Sequence, residues 1–288
     1  MAGLNLTEEQ QKELVHLYKD EYKSLIYCAK QFHTYPAKIK QELLQLNVRI
    51  RNHAEANIIT NKGRAVYSCQ TDFFQTQSSD MAWLLGFLAA DGCVRKNSNE
   101  IKIGLARVDR EILERIQSLL KVTAPIKDYT TKNGYDCSCL KWTCEQHKKD
   151  LARYSVIPEK TLKLRPPYAL KREYWTDYIR GYFDGDGSVS LIKGSNCRGN
   201  GSLRWQVCAA IPNILQWILD FFEEEYNIPP VKIYTQKRVN TLYYFQYSSA
   251  ATRKIYKVLY NSSSHMFLQR KKKHFEEILA VVKPLKDE

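Results

Sequence analysis

Two apolar segments in different halves of the chain end in the same way, and this repetition constrains the fold more than any other feature. The first segment reads AWLLGFLAADG (82–92) and the second reads YIRGYFDGDG (178–187). Both have the composition and length of a buried helix. Small residues lie four positions apart in each segment, on one helix face: Gly86 and Ala90, Gly181 and Gly185. Such faces let two helix backbones approach closely, so we expect the two helices to pack together around Gly86 and Gly181.

Each segment also ends in an aspartate followed by glycine, at Asp91 and Asp186. Glycine commonly ends helices, but a carboxylate in the last turn faces the negative end of the helix dipole. If the helices pack, their tips meet and the two carboxylates repel each other unless a cation compensates. A hard divalent cation with oxygen ligands fits this need. The sequence therefore predicts a metal site that contains both aspartates.

The charge of the chain indicates the class of partner. The net charge is +13 and the isoelectric point is near 9.2, which favours a polyanion, nucleic acid first and a membrane surface second. No apolar run approaches the roughly 20 residues that span a bilayer. The first residues, MAGLNLTEEQ, lack the basic and apolar pattern of a signal peptide. The group Cys137, Cys139 and Cys144 lacks the paired spacing of zinc sites, so we expect reduced thiols in an intracellular protein.

Residues 1–56 predict a small helical module. A capping box at Thr7 opens the first of three helices (10–18, 24–31 and 35–46). This arrangement resembles a helix-turn-helix whose third helix would enter the major groove. The basic residues expected to contact DNA are Lys38 and Lys40 on that helix and Arg49 and Arg51 in the arm that follows. The alternative is a plain three-helix cap with solvated lysines. Residues 57–80 are expected to form a linker.

The rest of the chain predicts a duplicated α+β fold. The segments 81–168 and 169–288 share one order of elements, αββαββα, and each contains a hairpin flanked by helices. Similar short sequences in the two segments support the duplication, since the hairpin strand IKDYT (126–130) matches VKIYT (231–235).

The two motifs, LLGFLAADG (84–92) and IRGYFDGDG (179–187), resemble those of single-chain LAGLIDADG homing endonucleases. The resemblance covers roughly residues 81–280. It implies that the two motif helices form the interface between pseudo-symmetric halves, and that the two sheets form a saddle over double-stranded DNA. It further implies a site-specific endonuclease that makes a staggered double-strand break in a long target. A monomer with internal pseudo-two-fold symmetry is expected, without a membrane partner.

The resemblance also assigns roles to residues. Asp91 and Asp186 would bind Mg²⁺, helped by the carbonyls of Ala90 and Gly185, and Mn²⁺ or Ca²⁺ could substitute for binding. A basic residue is expected near each acid: Lys160 in IPEKT (157–161) and Lys271 in FLQRK (267–271). The alternative for Lys271 is a solvated basic run that contacts backbone phosphates. An acid that often precedes the metal ligand in the family is kept at Asp184 but replaced by Ala89 in the first motif.

Strand alternation predicts which side chains face DNA. In the strand 202–209, Leu203, Trp205 and Val207 are expected to point into the core. The opposite face then carries residue types suited to base edges. The predicted DNA-binding residues are Lys102, Lys127, Tyr129, Lys141, Arg204, Gln206, Lys232, Tyr234, Gln236, Tyr244 and Gln246, with Arg95 and Lys193 nearby. The alternative is an ordinary polar face of a half-solvated sheet.

Two other functions stay open from the sequence. The first is a DNA-binding regulator that kept the saddle and lost cleavage, although acids beside phosphates would bring a pure binder no benefit. The second is an RNA-binding splicing helper, or maturase, since some members of the family assist their host introns. A third alternative, an α/β protein without a nucleic-acid role, would account for neither the positive net charge nor the paired acids.

Overall fold

The structure is a computed structural model in which the chain divides into two compact units, Met1–Val66 and Tyr67–Glu288. The residues that it describes are 4, 6–52, 55–56, 67–193, 201–237, 241–261 and 265–282. Each unit is described by itself below.

The first unit contains three helices, as predicted. They are α1 (Glu8–Lys19), α2 (Leu25–Gln31) and α3 (Pro36–Gln45). The capping box is present, because the Thr7 side chain accepts from the Gln10 amide and the Gln10 side chain accepts from the Thr7 amide. Leu14, Cys28 and Leu43 lie in the core between the helices. The interpretation of this bundle as a helix-turn-helix remains a prediction.

The second unit is built from two copies of one arrangement, and the predicted α+β fold class is confirmed. The first copy contains α4 (Ser79–Asp91), β1 (Gly92–Val94), β2 (Glu100–Ala106), α5 (Arg110–Leu119), β3 (Lys127–Thr130), β4 (Asp136–Thr143) and α6 (Glu145–Ala152). The second copy contains α7 (Trp175–Asp186), β5 (Gly187–Ile192), β6 (Ser202–Ala209), α8 (Pro212–Tyr226), β7 (Tyr234–Gln236), β8 (Leu242–Ser248) and α9 (Ser249–Tyr260). Each copy forms a four-stranded antiparallel sheet, in the orders β1-β2-β4-β3 and β5-β6-β8-β7.

A further helix, α10 (Gln269–Val281), follows the second copy and was not predicted. The sequence around Lys271 predicts only a basic segment. Phe275 and Ile278 are buried, and their spacing of three residues is the helical signal that the basic residues obscured.

Part of the predicted linker packs onto the second unit. Phe74 is buried in its core, and the Gln70 amide donates to the Leu120 carbonyl at 2.8 Å. Ser78 caps the start of α4 through a hydrogen bond from the Met81 amide. Residues 57–66 of the predicted linker lie outside the described part of the chain, as do residues 194–200 between β5 and β6.

The helices α4 and α7 pack against each other at backbone distance. A Cβ atom added at Gly86 would lie 2.0 Å from the Tyr178 carbonyl oxygen, and one added at Gly181 would lie 1.9 Å from the Trp83 carbonyl oxygen. Both distances are far below van der Waals contact, so only glycine permits this approach. The two glycines therefore lie at the predicted helix–helix contact, and the C-terminal ends of α4 and α7 emerge side by side.

Replacement of Gly181 by alanine is expected to destabilise the protein by about 2–3 kcal/mol, because the new methyl group must push the two backbones apart. Urea unfolding followed by circular dichroism measures this change. Gly104→Ala is the matched control, since a Cβ there meets nothing closer than Lys102 Cε at 3.6 Å. Equal stability of both variants would contradict the close helix contact.

Candidate functional site

The two motif aspartates are the last residues of α4 and α7, and the helix contact brings them together. A Cβ atom added at Gly185 would lie 3.2 Å from Asp91 Oδ2, so the Asp91 carboxylate rests against the end of α7 beside Asp186. The negative charge of Asp91 also raises the pKa of Asp186. The pair that the repeat predicted is therefore adjacent.

Desolvation by the surrounding protein disfavours the ionised form of both carboxylates, although Asp186 is half-buried and Asp91 is exposed. Desolvation is the main cause that raises the pKa of Asp186, to about 6, and the neighbouring Asp91 adds to it. Desolvation also raises the pKa of Asp91. Lys160 and Lys271 act in the opposite direction on both acids. The two lysines thus compensate the negative charge only in part.

Each predicted lysine caps the motif helix of its own half. The Lys160 ammonium donates to the Ala90 carbonyl at 3.3 Å and to the Gly92 carbonyl. The Lys271 ammonium donates to several carbonyls at the end of α7: Phe183 at 2.8 Å, Asp184 at 2.7 Å and Gly187 at 2.7 Å. A cation at a helix C-terminus interacts favourably with the dipole. The lysines therefore offset the unfavourable placement of the acids.

Burial lowers the pKa of both lysines, while the nearby carboxylates raise it. The carbonyl oxygens predicted to assist a metal are those of Ala90 and Gly185, and the lysine ammonium groups lie 3.3 and 3.5 Å from them. A carbonyl oxygen has two lone pairs, so each can still accept a second interaction.

Asp184, two residues before the end of α7, is buried and connects three elements. Its Oδ2 accepts from Trp83 Nε1 of α4 at 2.8 Å and from the Leu268 amide at 3.0 Å. Burial raises the pKa of Asp184 to about 6. These bonds fix the start of α10, from which Lys271 reaches the end of α7.

A bridge between the two halves was missed by sequence reasoning. Arg270 binds Asp109 with both ends of its guanidinium, through Nε at 2.9 Å and Nη2 at 2.8 Å. Asp109 immediately precedes α5 in the first half, whereas Arg270 lies in α10. The carboxylate is buried, and its charge contributes to the raised pKa of Asp91. Nothing in the local sequence pairs two residues so far apart.

Two cavities differ in size and in their place relative to the acids. A cavity of about 260 Å³ lies next to Asp186, with Ala90, Lys160, Tyr182 and Cys208 among its lining residues. The other, of about 30 Å³, is lined by residues that include Asp109, Ile112, Phe267 and Arg270, and neither motif aspartate lines it. The larger cavity is therefore the one that adjoins the site.

The sheet faces alternate as predicted in β6. Leu203, Trp205 and Val207 are buried, while Arg204 and Gln206 lie half-buried on the opposite face. Cross-strand register places further predicted residues side by side on the outer faces: Lys102 with Lys141, Gln206 with Gln246, and Tyr234 with Tyr244. The exposed candidates on or near these faces also include Lys127, Tyr129, Lys232, Gln236, Arg95 and Lys193.

The predicted DNA-binding residues of the first unit fall into two groups. Lys38 and Lys40 are exposed on α3, and Arg49 is exposed in an ion pair with Glu55. Arg51 is instead part of the packing, because its guanidinium lies 4.0 Å from the ring of Tyr18 and donates to a main-chain carbonyl. Sequence reasoning gave Arg51 the same role as Arg49 because the tertiary contact was not visible in the arm.

A cluster of Cys69, Cys144 and His147 has potential metal ligands within 4.8 Å of one another. Trp142 Nε1 lies 3.0 Å from His147 Nδ1, and His147 Nε2 lies 2.8 Å from the Gln70 carbonyl. Since an indole N–H only donates, Nδ1 accepts this bond and Nε2 carries the proton. Both ring nitrogens are engaged, and burial lowers the pKa of His147. The cluster is therefore a hydrogen-bonded part of the core.

A comparison with known protein families finds one match, which lies in the first of the two halves. Residues 78–140 match the family model described as a LAGLIDADG-like domain. The match spans α4, with Asp91 at its end, and most of the sheet that follows. Within the described part of the chain, the helices are too short or too polar to cross a membrane.

Solved structures similar to this chain include meganucleases. I-SmaMI bound to uncleaveable DNA is 14% identical, with a TM-score of 0.49 over 71% of this chain and 88% of the meganuclease. I-AabMI bound to uncleaved DNA is 16% identical, with a TM-score of 0.46 over 69% and 88% of the two chains. WhiA from Thermatoga maritima is 14% identical, with a TM-score of 0.44 over 76% of this chain and 66% of WhiA. No curated protein matches the sequence.

In metal-free protein, Asp186→Asn is expected to raise the free energy of unfolding at pH 7.5 by about 1–2 kcal/mol. The pKa of Asp186 is about 6 in the fold against 3.8 as its ordinary value, so the fold binds the proton more tightly. The wild type therefore gains stability as the pH falls through 6, and its difference from the variant shrinks toward pH 4. Urea unfolding with EDTA at several pH values measures this.

The control for this experiment is Asp220→Asn. Asp220 is exposed on α8 and accepts from Gln216 in the preceding turn, so the variant makes the same chemical change far along the chain from the motif acids. A destabilised Asp186→Asn protein at pH 7.5 would contradict the raised pKa.

Proposed function

We propose that this protein is a metal-dependent, site-specific endonuclease that hydrolyses one phosphodiester in each strand of a long duplex DNA target and leaves a staggered break. The observation that carries the proposal is the pair of adjacent carboxylates, Asp91 and Asp186, at the touching ends of two helices, each end capped by a half-buried lysine. The LAGLIDADG-like domain at residues 78–140 supports the same class of reaction.

The donor set suits a divalent metal. Two carboxylates lie together, their pKa values are raised, and the two lysines compensate them only in part. Hard cations such as Mg²⁺ prefer oxygen ligands, and binding one would relieve the repulsion between the acids. Asp91 and Asp186 would hold the metal, with the carbonyl oxygens of Ala90 and Gly185 beside it.

The aspartates and the lysines of the site would have different roles in the reaction. A bound Mg²⁺ would lower the pKa of a water and stabilise charge on the phosphodiester oxygens. Asp91 and Asp186 would fix the place where the scissile phosphates are held. Lys160 and Lys271 would stabilise the negative charge that develops on each phosphate, and their anchoring to the helix ends keeps the ammonium groups oriented before substrate arrives.

Double-stranded DNA is the proposed partner of the outer sheet faces. Rows of basic and amide side chains cross each sheet there, and the net charge of +13 supports contact with phosphates. In the first unit, the exposed Lys38, Lys40 and Arg49 would contribute further contacts to DNA. We propose that one chain, with its two pseudo-symmetric halves, suffices to bind one target.

Cleavage by the wild type and loss of cleavage in Asp91→Asn and Asp186→Asn are the central expected results. Either substitution should reduce the rate by at least about 100-fold, because a neutral amide is a poor ligand for Mg²⁺. A randomised duplex library is incubated with protein and Mg²⁺, and the cut molecules are sequenced. Both variants should still bind the selected target.

Asp220→Asn is the matched control, because it makes the same chemical change on an exposed surface of α8. Tight, specific DNA binding without cleavage by the wild type would overturn the endonuclease and favour a regulator. Specific binding to a structured RNA alone would favour a splicing helper.

Replacement of both Lys102 and Lys141, which are cross-strand neighbours, by alanine should weaken DNA binding. The loss should be similar for all DNA sequences if both side chains contact phosphates. The slope of log Kd against log salt should then fall by about 2, one for each lost contact. Fluorescence anisotropy with labelled duplexes at several salt concentrations measures it. Lys149→Ala, an exposed lysine paired with Glu145 on α6, is the control. An unchanged slope would remove this sheet face from the DNA-binding surface.

A further inference from the structure

The segment that carries Lys271 is held by a helix of the opposite half. Arg270, the residue before Lys271, binds the Asp109 carboxylate through Nε at 2.9 Å and Nη2 at 2.8 Å. Three residues earlier, the ring of Phe267 has its centroid 5.6 Å from the guanidinium carbon of Arg115. Asp109 directly precedes α5 and Arg115 lies on it. Both contacts therefore join α5 of the first half to the start of α10 and the residues just before it.

The ion pair between Arg270 and Asp109 is directional. The side chain of Asp109 is 8% exposed and that of Arg270 is 54% exposed. A buried carboxylate is costly without a partner, so the fold favours keeping this pair closed. Two parallel N–H bonds fix the orientation of the guanidinium as well as its distance from the carboxylate. Since Lys271 follows Arg270 in the same helical turn, the pair also restrains the place from which the lysine side chain starts.

The contacts of Lys271 depend on this place. Its ammonium donates to the carbonyls of Asp184 and Gly187 at 2.7 Å each, at the end of α7. It keeps these bonds only while the start of α10 stays beside that helix end. The start of α10 is held on two sides, by the Asp184 carboxylate, which accepts from the Leu268 amide at 3.0 Å, and by Asp109 from the first half.

The lysine of the first half is attached differently. Glu159, the residue before Lys160, is exposed and pairs at 3.4 Å with Lys96 of its own half. Ile211 directly precedes α8 as Asp109 directly precedes α5, and an isoleucine cannot form an ion pair. Within the described part of the chain, the bridge between the halves therefore acts on the lysine of the second half.

We infer that Asp109 and Arg270 are positioning residues that hold the Lys271 ammonium at the end of α7, so that the first half of the protein sets the geometry of the lysine in the second half-site. The effect on DNA cleavage rests on the proposed endonuclease function, in which Lys271 acts on one of the two strands. The effect on Lys271 itself is independent of that function.

Asp109→Asn tests the inference from the first half, because it removes the charge of the bridge with little change of shape. Arg270 is 54% exposed, so its guanidinium can be hydrated in this variant and the protein should fold. Arg270→Gln breaks the same bridge from the second half. Glu114→Gln is the matched control, since it breaks an exposed ion pair with Arg110 on the same helix, α5. Thermal unfolding verifies that the three variants are folded.

The first measurement is acetylation of the native protein by acetic anhydride, followed at each lysine by mass spectrometry. Lys271 should react about tenfold faster in Asp109→Asn and in Arg270→Gln than in the wild type, because its ammonium loses carbonyl partners when α10 shifts. Lys160 in the same sample is the internal control and should react at an unchanged rate. Both lysines should be unchanged in Glu114→Gln.

The two bridge variants separate movement of the lysine from a change of charge. The positive charge of Arg270 lowers the pKa of Lys271, so loss of that charge alone would slow the acetylation of Lys271. Faster acetylation in both Asp109→Asn and Arg270→Gln would therefore report that the lysine has moved.

The second measurement uses a duplex target labelled differently on each strand. Asp109→Asn should slow the cleavage of one strand about tenfold more than that of the other, at unchanged DNA affinity, so that nicked DNA accumulates. Lys271→Met should slow the same strand. Adding Asp109→Asn to Lys271→Met should bring no further loss, because both changes remove the same ammonium from the phosphate. A bridge that contributed only stability would instead slow both strands alike.

The inference is overturned if Lys271 is acetylated at the same rate in the wild type and in both bridge variants, or if Asp109→Asn slows both strands equally. A wild type that cuts no DNA would refute the proposed function and with it the strand effect. The acetylation rates would still decide whether the bridge positions Lys271, so the two failures remain distinguishable.

Discussion

The backbone contact between α4 and α7 is the constraint on which the rest of the second unit depends. Gly86 and Gly181 each face a carbonyl of the opposite helix at a distance that excludes any side chain. This approach fixes the separation of the two halves and directs both helix ends to one point. The acids meet because the glycines upstream of them allow it, so the packing of the core and the geometry of the site have the same origin.

The negative charges at the ends of the two helices lower the local stability of the fold. Two carboxylates lie where the helix dipoles and burial both disfavour them, and the pKa of Asp186 rises to about 6 as a result. Lys160 and Lys271 stabilise the helix ends through main-chain carbonyls and oppose part of the negative charge. Carboxyl and ammonium groups with perturbed pKa values in one cleft are typical of functional sites, where some stability is lost in favour of reactivity.

The duplication preserves the backbone more closely than the side chains. Both sheets have the same strand order, and both motif helices carry a stacked aromatic pair. Tyr182 lies one turn before Asp186 where Phe87 lies one turn before Asp91, and the buried Asp109 of the first half binds Arg270 of the second. The side chains around the two acids therefore differ, although the backbones of the two halves correspond.

The sequence by itself determined the repeat, the helix ends, the strand faces and the two acids. These features follow from local rules: apolar periodicity defines a helix, alternation such as Leu203, Trp205 and Val207 defines a buried strand face, and glycine after aspartate marks a helix end. Because the motif occurs twice, one pairing of distant elements could also be predicted, namely the contact between α4 and α7.

Only the tertiary structure decided the contacts that join residues with no shared pattern. The bridge from Arg270 to Asp109 spans 161 positions, and the stacking of Arg51 on Tyr18 removes that arginine from the predicted DNA-binding arm. A basic residue has the same local signature whether it faces solvent, a carboxylate or an aromatic ring. What it contacts depends on how the elements are placed in space, and that placement is set by the packing of the whole core.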